Sequence, residues 1–152
     1  MSFTSADGRA QLLEVIGAAA DRLSVALGLL SGAYDLLGEV AAERLEDEVF
    51  RPVQLAYGRI RRTHADFAAR YEMQSREFAP SPEGAPSRGV GGLLEAAVGE
   101  VLAADGELAT LQDSMLPVEV GDEELRAGLA DVRTRLAGVP GAAREMMRTF
   151  GR

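Results

Sequence analysis

From Leu45 to Tyr71 the chain places Leu45, Val49, Val53, Ala56, Ile60, His64, Phe67 and Tyr71 three or four residues apart. That spacing puts all of them on one face of a helix and does not fit the two-residue alternation of a half-buried strand. The steps come closer to an eleven-residue repeat than to a heptad, which favours a straight rod. The charges along the rod divide by half. Residues 34–50 carry a net of −5 and residues 51–76 a net of +4. An apolar stripe on a charge-polarised helix is a packing surface, and the rest of the chain is expected to cover it.

This helix is expected from about Tyr34 to Glu77, on the order of 65 Å as a single rod. Pro52 interrupts it. A proline inside a helix removes one hydrogen bond and crowds the preceding turn, so a kink is expected near Phe50 and Arg51. A first helix is expected from Thr4 or Ser5, where Thr4 and Asp7 stand at capping-box spacing. Its seam, Leu12, Ile16, Ala19, Leu23, Ala26 and Leu30, alternates steps of four and three, and Ser31-Gly32 is the expected turn. A third helix, Leu93 to Met115, bears an apolar face and only acidic charges, with Gly99 and Gly106 inside it. Leu116-Pro117 closes it. Gly121-Asp122-Glu123-Glu124 starts a fourth, carried by Leu125, Leu129, Val132, Leu136 and Val139, and a last segment follows from Ala142 to Phe150.

Three prolines and four glycines within residues 79–92 rule out a helix or strand there and predict a mobile linker. The expected fold is all-α: an antiparallel, up-and-down four-helix bundle with a long kinked second helix and a short C-terminal helical extension. Residues 1–152 form one domain, in which the linker joins helical hairpins 5–78 and 93–150.

A chain of 152 residues suits such a single domain. Aromatics at 5%, with no Trp, leave the core to Leu, Val, Ile and Ala. A net charge of −8 opposes general affinity for nucleic acid or anionic lipid, because the long-range field repels phosphate. No cysteine is present, which removes disulfides, thiolate metal sites and thiol nucleophiles together. The opening residues show no signal-peptide pattern, and the longest uncharged apolar run, residues 23–34, is too short to span a bilayer. The expected location is the cytoplasm.

Catalytic patterns are missing in the same way. A di-iron bundle needs Glu-x-x-His on two helices, and here the one histidine, His64, follows Arg61 at that spacing. Gly89-Val-Gly-Gly lacks both the preceding strand and the following Lys-Ser/Thr of a phosphate-binding loop. Neither an enzyme nor a cofactor or metal is expected.

What remains is a set of surfaces. Arg59, Arg61 and Arg62 form a dense basic patch suited to an anion or an acidic partner, or to pairing with the acidic third helix. In the tail, Met146, Met147 and Phe150 fall on one helical face with Arg144 and Arg148 opposite, the spacing either of a continuation of the protein's own core, which is the favoured reading, or of helix-in-groove anchors. Glu43, Glu46 and Asp47 make an acidic surface on the first half of the long helix. The principal expectation is a non-enzymatic interaction module, an adaptor or assembly subunit acting through helix faces, with a protein partner or a second copy of itself. The acidic and basic halves of the long helix could pair antiparallel in a two-fold dimer. The alternative is a small apolar-ligand-binding bundle with a pocket near Tyr57, His64 and Tyr71, and the third reading is an enzyme of unrecognised type.

Overall fold

The computed structural model describes residues 4–150, which are all-helical with no strand among them. Helix α1 spans Ser5–Asp35. Its first turn is capped by Thr4, whose hydroxyl oxygen accepts from the Asp7 amide at 3.1 Å and whose hydroxyl reaches the Asp7 carboxylate at 2.7 Å. The helix runs through Ser31-Gly32, and the turn falls instead at Leu36–Gly38.

The long rod is one continuous run of three pieces: α2 (Glu39–Leu45), a π-helical turn over Glu46–Phe50, and α3 (Arg51–Arg70). The irregularity expected at Pro52 takes the form of that single wide turn, and Phe50 keeps helical dihedrals (φ −64°, ψ −51°). A π turn absorbs a proline well. Widening the turn before Pro52 relieves the contact its ring would make with the carbonyl four residues back, and no hydrogen bond is needed from the missing N–H.

Helix α3 stops at Arg70, short of the expected Glu77. Glu72 adopts a left-handed conformation (φ 54°). The Met73 amide then donates to the Ala68 carbonyl at 2.7 Å and the Glu72 amide to that of Ala69 at 3.3 Å. This pair of reversed bonds is a Schellman closure, built on a residue that is not glycine. Beyond it the chain runs without helix to Ala85, makes a 3₁₀ turn over Pro86–Arg88, and enters α4 (Gly89–Asp113) at Gly89 with φ 71°. One helical turn, α5 (Leu116–Glu119), then α6 (Glu123–Leu136) and α7 (Val139–Phe150) complete the chain. Asp122 caps α6 by accepting from the Leu125 amide at 2.8 Å.

The most extensive packing is between α1 and α4; α3 lies against both α1 and α6, and α7 against α4 and the π turn. Arg9 near the start of α1 covers the Tyr71 ring at the end of α3, so α3 runs opposite to α1. Arg22 of α1 meets Glu100 and Glu107 of α4, while Gly8 faces Leu116 and Val120 just beyond α4. Helix α4 therefore also runs opposite to α1, and α3 and α4 are parallel. This departs from an up-and-down order. The physical reason is the segment between them: about thirteen extended residues reach roughly 40 Å, enough to return along the whole of α3 before α4 begins.

That returning segment, here called the strap, lies on α1. The Gly84 amide donates to the Gly28 carbonyl at 2.8 Å, the Ser81 amide to the Ser24 hydroxyl at 3.1 Å, and the Ser24 hydroxyl to the Ala79 carbonyl at 3.2 Å. A Cβ at Gly28 would overlap the Pro82 carbonyl oxygen, and one at Gly32 would meet that of Gly84. The first part of the stretch expected to be a mobile linker is thus fastened to α1 by one backbone-to-backbone bond and by the Ser24 hydroxyl, and its last residues are already helix α4.

The core contains the whole α1 seam, each residue at 0% exposure, together with Leu45, Val49, Val53, Ala56, Ile60 and Phe67. Tyr71 ends the stripe half-buried.

A candidate anion-binding groove

Because α3 turns Ile60, His64 and Phe67 inward, the row beside them, Arg61, Arg62 and Ala65, stands at its edge, next to the first residues of the strap. Between them lies an open groove of about 640 Å³, lined by Gly58, Arg61, Arg62 and Ala65 of α3 and by Arg76, Glu77 and Phe78 of the strap. Three guanidinium groups share it with one carboxylate.

Each arginine is held by something other than an anion from the groove. Arg61 lies over the Tyr57 ring, 5.1 Å from its centroid. Arg76 covers the Phe78 ring at 4.3 Å and donates two hydrogen bonds to Asp21 of α1, at 2.8 and 3.0 Å. Arg62 folds back along α3 so that its Nη1 would stand 3.3 Å from a Cβ at Gly58. Stacking a guanidinium on a ring or a helix leaves less side-chain freedom to lose on binding.

Under Phe78 lies His64, buried at 3% exposure, its ring meeting Phe78 edge-to-face. Its Nδ1 is buried without a hydrogen-bond partner among the described residues. Burial pushes the imidazole below its ordinary value and the neighbouring Arg76 charge adds to this, while the Leu13 carbonyl pulls the other way. His64 is therefore a neutral group of the interior that supports the groove's aromatic wall.

Of the expected basic patch, Arg61 and Arg62 reach the groove and Arg59 does not. Arg59 pairs with Asp131 of α6 at 3.2 Å, and Arg70 binds Asp122 with two of its nitrogens, at 2.7 and 2.8 Å, and Glu124 with the third at 2.8 Å. Desolvation pushes the Asp122 carboxyl up, but the hydrogen bonds from Arg70 and the Leu125 amide outweigh it and hold the group below its usual range. Pairing between this patch and the acidic third helix is not found. The acids of α4 take Arg22 of α1 and Arg133 of α6 instead, because α6 rather than α4 lies along α3. Among the described residues Arg61 and Arg62 form no ion pair, whereas Arg22, Arg59, Arg70, Arg76, Arg133 and Arg135 all do.

The other candidate residues are placed as follows. Tyr57, His64 and Tyr71 do not converge. Tyr57 and Tyr71 are fourteen residues apart on one helix line, about 21 Å, and Tyr71 packs on Phe67 at 4.7 Å beneath Arg9. In the tail, Met146 is fully buried against its own chain, Met147 and Phe150 are half-buried, and Arg144 and Arg148 are exposed. Met146 is thus part of the core and not a free anchor, since α7 lays that face on α4. Glu43 and Asp47 are exposed and Glu46 half-buried, with Asp47 paired to Arg51 at 3.4 Å. Among the described residues no three His, Cys, Asp or Glu side chains converge as metal ligands, and no helix is long and apolar enough to cross a membrane.

Gly58, Arg76, Phe78 and Asp21 were not read as site residues from the sequence. Arg76 and Phe78 fall just past the stripe, and only the reversal at Glu72 turns them back against α3. Comparison of the chain with protein-family models, curated proteins and solved structures gives no match, so its function is argued from this geometry.

Proposed function

We propose that the protein is a non-enzymatic interaction module, a helical bundle that receives an acidic segment of a partner protein in the groove between α3 and the strap. The observation that carries this reading is the pair Arg61 and Arg62. In a chain with 24 acids against 16 arginines, these two adjacent guanidinium groups line an open groove and pair with no acid among the described residues. Arginine suits the task because its planar fork of donors matches a carboxylate. The remaining surface, acidic overall, repels acidic chains that do not reach the groove, which adds selectivity to a modest attraction.

The test uses the full chain and a labelled Glu-rich peptide as probe. Binding is expected that weakens steeply with added salt. It is abolished by Arg61→Glu with Arg62→Glu and retained by Arg88→Glu, a charge change outside the groove. Wild-type protein that ignores the peptide at low salt would end this reading.

A second copy is one acidic partner at hand, through the exposed Glu43 on α2. Sedimentation at several concentrations decides this: a mass that rises with concentration and falls with salt supports self-association, and a constant monomer mass removes it.

A further inference from the structure

Resting on the same groove, we propose that it is built for a dianionic phosphate group on the partner's side chain, with Asp21 holding Arg76 in reserve as the third arm of the clamp. Asp21 lies on α1 outside the groove yet holds two nitrogens of a guanidinium that lines it. Arg76 and Asp21 are 43% and 54% exposed, so their bond is a weak one in water and open to exchange. An incoming carboxylate has nothing to gain by taking Arg76, because it would replace one singly charged partner with another. A phosphate monoester carries nearly twice the charge and three acceptor oxygens. It can engage Arg61 and Arg62 and still draw Arg76 away from Asp21.

The surroundings favour that exchange over collapse of the site. Arg76 is stacked on Phe78, and Phe78 is supported from below by the buried ring of His64. The guanidinium therefore has a platform that does not depend on Asp21. Arg61 has its own in Tyr57, and Gly58 leaves room for Arg62. Glu77, the one carboxylate in the lining, opposes any anion, and the three guanidinium groups outnumber it. Three positioned guanidinium groups around one open groove match a tetrahedral oxyanion better than a planar one.

Titration calorimetry on the full chain tests this with two probe peptides that differ at one position, phosphoserine or glutamate, and with inorganic phosphate as a third titrant. The phosphopeptide is expected to bind about ten-fold more tightly than its glutamate counterpart. Arg76→Gln removes that preference and leaves the glutamate peptide's affinity nearly unchanged. Asp21→Asn tightens phosphopeptide binding several-fold, by roughly the strength of a lost charged competitor, whereas Glu14→Gln, which removes an acid elsewhere on α1, does not. Circular dichroism on each variant confirms that the fold is kept. Equal affinities for the two peptides, or no gain from Asp21→Asn, overturn the inference while leaving the acidic-segment reading in place. Inorganic phosphate binding as tightly as the phosphopeptide overturns the partner side chain as its source, and failure of every titrant overturns both readings.

Discussion

The His64 and Phe78 rings meet edge-to-face with centroids 5.3 Å apart and planes at 87°, so the one histidine of the chain is roofed by the strap. Burial and the Arg76 charge keep this imidazole below its ordinary value of 6.5. The unfolded chain then binds the proton more readily than the folded protein, and stability rises with pH. This contribution is complete above about 6.5 and is lost as pH falls through that value toward the folded-state one. The urea midpoint is expected to drop between pH 7.5 and 5 in wild type and to change much less in His64→Leu.

Glycines divide into two kinds that respond oppositely to alanine. Gly28 and Gly32 face strap carbonyls closer than a Cβ allows, whereas Gly99 and Gly106 of α4 have nothing within 4 Å of an added Cβ. Gly28→Ala is expected to destabilise by about 1–3 kcal/mol through overpacking, partly offset by better helix propensity. Gly99→Ala and Gly106→Ala are each expected to stabilise by about 0.5–1 kcal/mol. Denaturant midpoints of the single variants distinguish the two classes.

Glu72 occupies the left-handed position of the closure that ends α3, where a Cβ is strained. Glu72→Gly is expected to raise stability by about 0.5–1 kcal/mol, read as an increase in thermal midpoint. An unchanged or lowered midpoint would show that the turn is held by contacts other than its backbone.

The tail belongs to the core through Met146, which is 0% exposed. Met146→Ala is expected to lose about 2–5 kcal/mol. Arg144→Ala, an exposed substitution on the opposite face, is expected to stay within about 0.5 kcal/mol of wild type. Equal, small effects at both positions would free the tail for another role.

Much of the helical scaffold was legible in residue order. The α1 seam from Leu12 to Leu30 and the stripe from Leu45 to Phe67 are buried as their spacing implies, because amphipathic periodicity is a local property of the chain. The Thr4 cap and the helix start at Gly121-Asp122-Glu123-Glu124 were legible for the same reason, since each capping bond closes within three residues. The end of α3 was not. Its closure uses glutamate, a poor left-handed residue, so no composition signal marks it.

The site divides in the same way. Residue order alone grouped Arg59, Arg61 and Arg62 as one basic patch and showed a chain without cysteine or paired histidines. It did not show that Arg59 belongs to α6, that Arg76 and Phe78 complete a groove, or that Asp21 holds one of its arms across 55 positions. Only the tertiary structure decided these, because they follow from the path of the strap. Backbone contact at Gly28 and Gly32 selects that path, and such contact depends on two distant segments fitting each other, which no local pattern encodes.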